Sequence, residues 1–559
     1  MSYFIVFSMF YLYLYLCGRG LFIFISRKSS KKDYNETFFD LKISNFYVFI
    51  FLIFIGNITF LINFFIKTSI VFFLLFSVPL ILINITHFEL KLSNISRTRN
   101  IIKIFTLFIL SLSTYSINLG YDAQLYHLAS QLWIKSSKIN FGLAGFHHRL
   151  GFSSIYDYIS SNFWIFDNFI FLHFLNLAFI AQLLFILINY FYDSHKFNVK
   201  VLTISVLLFG LFDNFGFNGG KNSFIEVEGI TKFDTPFGII FSLTMLFMYI
   251  VNSKNFVNSY ELGFLVFFIL FSIQMRLAGA LLLIPFMGIV VKFKNQLFKF
   301  LNENHIPKLA IFLMFLWILK NYILSGCAIF PVEFLCIQDL KWYEPGLASK
   351  TSNDISFSLK AYSFDQSIND WYQIWTNKFV WNKTTLYNLT LSMLFILTFI
   401  KTIYKNSKIF TKNVLPLFII NFLFLIFWLF TAPDFRFAIG FTLSFIFLIG
   451  LTNGQPRISI NSGIFKIFFI ALYVFTVALI PRIENYSLFI KDITQLKIIS
   501  INNSFLETDA YVDKPFGYGV VRSNGDERCG LNLNCSPDYE SPVTKEIRYS
   551  YNFFIPARK

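Results

Sequence analysis

The sequence has little charge and less acid: 14% of its 559 residues are Asp, Glu, Lys or Arg, with 31 acids against 47 bases. With apolar residues at 56% and a mean hydropathy of +0.60, that scarcity excludes a soluble domain of this length. No Gly-rich phosphate loop, Walker signature or Gly-x-Ser-x-Gly elbow occurs, so nucleotide hydrolysis has no support. No cleavable leader is readable at the start: Arg27, Lys28, Lys31 and Lys32 follow the first apolar run, and no small-residue cleavage site appears. That run is expected to stay as a helix. No internal repeat of obvious period is present. The net charge of +16 does not point to nucleic acid, because the bases cluster in short loops between apolar runs, where they set topology and meet anionic lipid.

What the chain does have is apolar runs long enough to cross a hydrocarbon core of roughly 30 Å. They predict helices near 3–25, 46–66, 70–88, 101–119, 167–191, 199–213 and 235–252, then near 260–275, 277–292, 308–326, 385–403, 413–432, 436–452 and 464–481. The fold class is therefore an all-α polytopic membrane protein of about thirteen to fourteen transmembrane helices. Alternating the spans puts every major basic cluster on one side, the cytoplasm. Stretches 120–166, 214–234, 327–384 and the tail after Pro481 fall outside. The weakest part is 260–292, which reads as two short spans or as one span with a re-entrant piece; the Lys-rich stretches 292–308 and 401–412 argue for two crossings.

Four of the five cysteines lie in segments assigned outside. Cys529 and Cys535 bracket a short loop that a disulfide would close in an oxidising compartment, and Cys327 with Cys336 would do likewise. Zinc is disfavoured in the tail, which has no histidine between Arg482 and Lys559.

The outer loop 120–166 is too long and too patterned for a connector. Leu125, Leu128, Ala129, Leu132 and Trp133 recur at helical spacing and predict a helix along the membrane surface, with Asp122 at its N-terminal end, where it either caps the helix or does chemistry. A second acidic cluster, Glu226, Glu228 and Asp234, falls on the same side. Two carboxylates from different loops above one cavity suit general-base work, one taking a proton and the other orienting the acceptor or holding a divalent cation. Arg149, Lys221, Arg276, Lys320 and Arg436 fall at or near outer helix ends, where they either snorkel to headgroups or hold a phosphate. His127, His147 and His148 share the first outer loop, where structural or hydrogen-bonding roles fit better than a metal site.

These residues converge on a pattern that resembles the GT-C superfamily of polytopic glycosyltransferases. Ile101 to Leu119 leads into Tyr121-Asp122, Asp234 falls in Thr231-Lys-Phe-Asp-Thr-Pro236, and Arg276-Leu-Ala-Gly-Ala-Leu-Leu-Leu-Ile-Pro285 supplies a basic residue before small residues and a proline. More closely, Tyr121-Asp-Ala-Gln-Leu-Tyr-His127, Gly142-Leu-Ala-Gly-Phe-His-His-Arg-Leu-Gly-Phe152, Lys320-Asn-Tyr-Ile-Leu-Ser-Gly326 and Pro433-Asp-Phe-Arg-Phe437 resemble a largely uncharacterised bacterial integral membrane family. Gly525-Asp-Glu-Arg-Cys529 and Cys535-Ser-Pro537 are similar to the way its members end.

The resemblance implies N-terminal helices over 1–100, a GT-C-like core over 101–482 with outer loops 120–166, 214–234 and 327–384, and a small extracytoplasmic domain over 483–559. It implies an inverting transferase in a bacterial inner membrane. A sugar would pass from a polyprenyl-phosphate donor to an envelope glycan, lipid or protein on the extracytoplasmic side. Asp122 and Asp234 would be catalytic. Tyr121, Tyr126, His127, His147, His148, Arg149, Glu226, Glu228, Arg276, Lys320, Asn321, Asp434 and Arg436 would bind substrate. The donor phosphate would lie near Arg276, Lys320 or Arg436, and Trp342, Trp371 and Trp375 would stack on sugar or anchor the interface. No cofactor is implied beyond a divalent metal, which stays open. The rivals are a flippase or transporter for a lipid-linked saccharide and a noncatalytic scaffold for envelope assembly.

Overall fold

The computed structural model describes residues 2–26, 37–86, 97–117, 122–164, 169–194, 197–213, 227, 229–257, 259–296, 305–360, 373, 376, 415–431, 434–452, 462–494, 512–516, 520–523, 535–536 and 543–556. The expected run 385–403 lies outside them. The other apolar runs are helical: α1 (Ser2–Ser26), α2 (Tyr47–Asn63), α3 (Ile70–Thr86), α4 (Arg97–Leu112), α5 (Leu128–Ser136), α6 (Ile155–Asn162), α7 (Ile170–Asp193), α8 (Phe197–Asp213), α9 (Asp234–Asn252), α10 (Ser259–Met275), α11 (Leu283–Lys292), α12 (His305–Ser325), α13 (Leu347–Lys360), α14 (Leu415–Thr431), α15 (Ile439–Thr452), α16 (Ser462–Ala478) and α17 (Ile483–Thr494), of which α5, α6, α13 and α17 belong to loops and the tail. A helix satisfies its own backbone, which is why runs this apolar adopt it in hydrocarbon. Among the described residues five helices are long and apolar enough to cross a membrane, six if the bent pair of α16 and α17 counts as one span. Shorter apolar helices accompany them, and the chain is a helical membrane protein.

The long helix α7 is apolar all round and almost wholly buried, so it forms the axis of the bundle. Helices α1, α4, α8 and α9 pack around it. Helices α3 and α12 instead turn Val71, Leu75, Phe312 and Phe315 outward, as lipid-facing surfaces do. The stretch 260–292 forms two short apolar helices, α10 and α11, joined by a reversal. The chain breaks at Arg276, which is extended (φ −156°, ψ 142°), and returns through a 3₁₀ turn Leu277–Leu282 into α11. Gly279 makes the reversal fit, because a Cβ there would lie 2.3 Å from the Ser272 carbonyl carbon.

One end of the bundle gathers the α2–α3 turn, loop residues 122–164, the start of α9, Arg276 and the segment after α12. There Asn63 donates to Ile134 O and Ser137 O, and Tyr551 to Phe64 O. The opposite end is closed by Glu261, which accepts from Phe39 N–H and Lys254, both at 2.7 Å.

The first outer loop does not lie on lipid as its pattern predicts. Leu128 is fully buried in the main core and Trp133 is buried against Phe146 and Phe554, because a C-terminal hairpin, Val543–Arg548 paired with Tyr551–Pro556, covers it. The hairpin is joined to the loop by Phe554 N–H to Phe141 O at 2.8 Å and Phe141 N–H to Asn552 O at 2.9 Å. The tail therefore belongs to this end of the molecule. Cys327 and Cys336 are disulfide-bonded, as their spacing suggested. Cys529 and the side chain of Cys535 lie outside the described residues, as do Trp371 and Trp375.

Candidate functional site

Helices α9 and α15 cross at glycines, and that crossing creates the site. A Cβ at Gly238 would lie 2.3 Å from Ile439 Cγ2, and one at Gly440 would lie 3.0 Å from Phe241 Cβ. Small residues at such a crossing let backbones approach closely. The approach sets Asp234, at the N-terminus of α9, beside the 3₁₀ turn Phe435–Ala438 that leads into α15. Asp434 caps that turn, its Oδ1 accepting the Arg436 N–H at 3.1 Å and its Oδ2 lying 3.2 Å from Arg436 Nε. Trp428 Nε1 donates to Asp434 O at 2.8 Å and fixes the turn from α14.

Arg276 reaches this point from the α10 reversal, its Nη1 2.6 Å from Asp234 Oδ1. Phe437 stands between the two arginines: Arg276 Cζ is 3.9 Å and Arg436 Cζ 4.7 Å from its ring centroid. From the other direction comes Asp122. It occupies the N-cap position of a π-helical turn, Ala123–His127, yet its side chain makes no capping hydrogen bond. Its Oδ2 instead takes Arg436 Nη1 at 3.4 Å and faces Lys232 Nζ at 3.8 Å. The capping reading of Asp122 is therefore replaced by an ion pair. Asp122 and Asp234 belong to one constellation, each paired to an arginine on the same phenylalanine.

Three carboxylates (Asp122, Asp234, Asp434) face three cations (Lys232, Arg276, Arg436), so the cluster is balanced. Their side chains are 14–30% exposed, open enough for a solute to reach. Pairs at such exposure contribute about 0.2–1 kcal/mol each, so they are a weak explanation for stability and a better one for binding charge. Tyr126 and His127 complete the wall. Burial, and then the Asp122 charge, raise the Tyr126 hydroxyl above its ordinary range, which keeps it a donor. Burial lowers His127 to about 4, so its imidazole is neutral at physiological pH. Arg149 lies within electrostatic reach of Tyr126.

Other expected residues stand elsewhere. Lys320 is not beside Arg276: it is fully buried, its Nζ 3.0 Å from the Trp317 ring centroid on its own helix. Asn321 Nδ2 donates to Ala328 O at 3.0 Å and ties down the disulfide loop. Trp342 is occupied by the fold, its Nε1 donating to Tyr322 O at 3.0 Å and its ring meeting Phe141 edge-on. His147 and His148 put their rings 4.8 Å apart. Tyr121, Lys221, Glu226 and Glu228 lie outside the described residues. Among the described residues no three His, Cys, Asp or Glu side chains gather to hold a metal; Arg436 occupies the place between Asp122 and Asp434.

Sequence reasoning missed Asp157, Lys232 and Phe437. Phe437 and Lys232 sat inside motifs already singled out. Asp157 lies near the start of α6, where Ser154 Oγ accepts the Tyr156 N–H at 3.2 Å, and belongs to none of the motifs singled out above.

A family model described as Domain of unknown function (DUF8201) matches residues 1–443. Neither a curated protein nor a solved structure matches the chain.

Proposed function

The chain belongs to the DUF8201 family, and from that premise we propose that it is a bacterial inner-membrane glycosyltransferase of GT-C type, acting on the extracytoplasmic side. A sugar passes from a polyprenyl-phosphate donor to a hydroxyl or amine of an envelope glycan, lipid or protein. The observation that carries the reading is the carboxylate of Asp122, which caps nothing, is partly exposed, and stands with Asp234 beside two arginines.

In this reading Asp122 takes the proton of the acceptor as its oxygen or nitrogen attacks the anomeric carbon. The sugar–phosphate C–O bond breaks with inversion, and polyprenyl phosphate leaves with the electron pair. Arg276 and Arg436 receive the charge that develops on the leaving phosphate, since guanidinium groups hold phosphate oxygens in a planar fork. Each must exchange a carboxylate for the phosphate, and partial exposure makes that exchange cheap. Asp234 orients Arg276. The lipid tail has apolar helix faces beside it, α12 among them. The disulfide Cys327–Cys336 at this end supports an oxidising compartment, and Lys254 and Lys292, which meet at the other end, support a cytoplasmic face there.

The test compares transfer of labelled sugar from a polyprenyl-phosphate donor pool in membranes carrying native protein and membranes carrying Asp122→Asn at matched expression. The reading expects a labelled product that depends on the native protein and is lost in the variant. Equal labelling in both moves the assignment to a transporter or scaffold.

A further inference from the structure

Behind the two acids lies a second set of polar groups that the proposed chemistry does not use. Lys320 of α12 is fully buried among aromatic rings, Trp317 at 3.0 Å, Tyr158 at 5.8 Å and Phe60 at 6.0 Å from its Nζ, which has no hydrogen-bond partner among the described residues. Asp157 of α6 is 2% exposed. Its Oδ2 accepts from Ser130 Oγ at 3.3 Å, and its Oδ1 has no hydrogen-bond partner among the described residues. That free oxygen lies 3.9 Å from Nδ1 of His127. Burial pushes the Asp157 carboxyl up to about 7, while Gln131, Ser130 and then the Lys320 charge pull the other way.

His127 is the hinge between this set and the outer cluster. It faces Asp122 from its own turn, Lys232 and Asp234 from the segment entering α9, and Arg436 from the turn before α15. Tyr126 and Phe233 hold its ring at 4.2 and 5.4 Å. A buried lysine and a buried aspartate left unclosed are costly, and unpartnered buried groups of this kind call for an explanation in use.

We propose that Lys320, Asp157 and His127 form a positioning chain behind Asp122 and Asp234, which holds the imidazole proton on Nδ1 and leaves the Nε2 lone pair to accept a hydrogen bond from a second hydroxyl of the acceptor, not the one that Asp122 deprotonates. The gap of 3.9 Å exceeds an N–H···O bond of about 3 Å and closes by a small swing of the ring or through one water. In its charged form Lys320 favours a carboxylate at Asp157. A carboxylate can only accept, so the proton it faces must sit on Nδ1; a protonated Asp157 would donate instead and drive the imidazole proton to Nε2. Nε2, pointing away from Asp157, then orients the acceptor through a neighbouring hydroxyl while Asp122 deprotonates the attacking one. The part concerning the acceptor rests on the transferase reading, whereas the tautomer of His127 does not.

The test is nitrogen NMR of ring-labelled histidine in the full-length protein in detergent micelles. His127 is assigned by the signal lost in His127→Gln. Above the pH of about 7 at which Asp157 titrates, the native protein should show a neutral His127 protonated at Nδ1, and Asp157→Asn should move the proton to Nε2. Lys320→Met, which leaves Asp157 in place, should shift the tautomer ratio the same way and serves if Asp157→Asn does not fold. A native His127 protonated at Nε2, or a signal unmoved by both substitutions, overturns the positioning chain. In the sugar-transfer assay Asp157→Asn should lower transfer by roughly a hundredfold, as a displaced orienting group does. Unchanged transfer alongside a changed tautomer overturns the orienting role, and no transfer by native protein with the expected tautomer overturns the transferase reading alone.

Discussion

Asp157 and His127 impose opposite pH dependences on stability, and removing one uncovers the other. Burial raises Asp157 from 3.8 to about 7, so between those values the folded protein holds a proton that the unfolded chain has released. The stability this confers is complete below about 4 and is lost as the pH rises to about 7. A separation of that size is worth roughly 4 kcal/mol at 1.36 kcal/mol for each pH unit. His127 falls from 6.5 to about 4, so in that window the unfolded chain binds a proton that the folded protein does not. Its contribution rises with pH by roughly 3 kcal/mol between about 4 and 6.5. In the native protein the two nearly cancel over the shared window.

His127→Gln leaves Asp157 alone, and its stability should fall as the pH rises from about 4 to about 7. Asp157→Asn leaves His127 alone, and its stability should rise from about 4 to about 6.5. Thermal unfolding midpoints in detergent micelles, taken across this range for native protein and both variants, read the slopes as differences. Variants that both follow the native profile would refute the reasoning, because the folded state would then hold neither the proton on Asp157 nor the neutral imidazole on His127.

Two further perturbations test how the site is built. Phe554→Ala empties a position 1% exposed between Trp133 and Phe146 and should cost about 3–5 kcal/mol of hairpin docking, read as new proteolytic cleavage within residues 543–556; an uncut tail would contradict the hairpin's seat. Gly279→Ala sets a methyl 2.3 Å from the Ser272 carbonyl carbon, where neither backbone can give, and should lower the yield of folded protein or pull Arg276 off Asp234; native yield and native transfer together would contradict the tight reversal.

The helices were legible because an apolar run in hydrocarbon has one way to satisfy its backbone, and the runs 3–25, 167–191 and 235–252 became α1, α7 and α9 within a few residues. The reversal at Arg276 was legible as two short helices but not as a sharp turn, since that depends on Gly279 meeting Ser272. Asp122, Asp234, Arg276 and Arg436 were each visible as charges at outer ends. Their convergence was not, because Asp122 and Arg436 are 314 residues apart and meet only where α9 and α15 cross at Gly238 and Gly440. Lys320 was misplaced for a related reason: its position along α12 is fixed by sequence, but the direction of its side chain is set by Trp317, Tyr158 and Phe60 on three different elements. Asp157 went unnoticed because its place in the sequence, thirty residues after His127, does not show that its carboxylate turns toward that histidine.

The central claim is that Asp122 and Asp234 serve one catalytic site arranged around Phe437. Its most direct test is a double-mutant cycle on sugar transfer, with Asp122→Asn, Asp234→Asn and the two combined, at matched amounts of folded protein. One site predicts that each single substitution removes most of the transfer and that the double variant is no slower than the slower single, because groups acting as a unit are not additive. Losses that multiply, or an Asp234→Asn variant with native transfer, would contradict it.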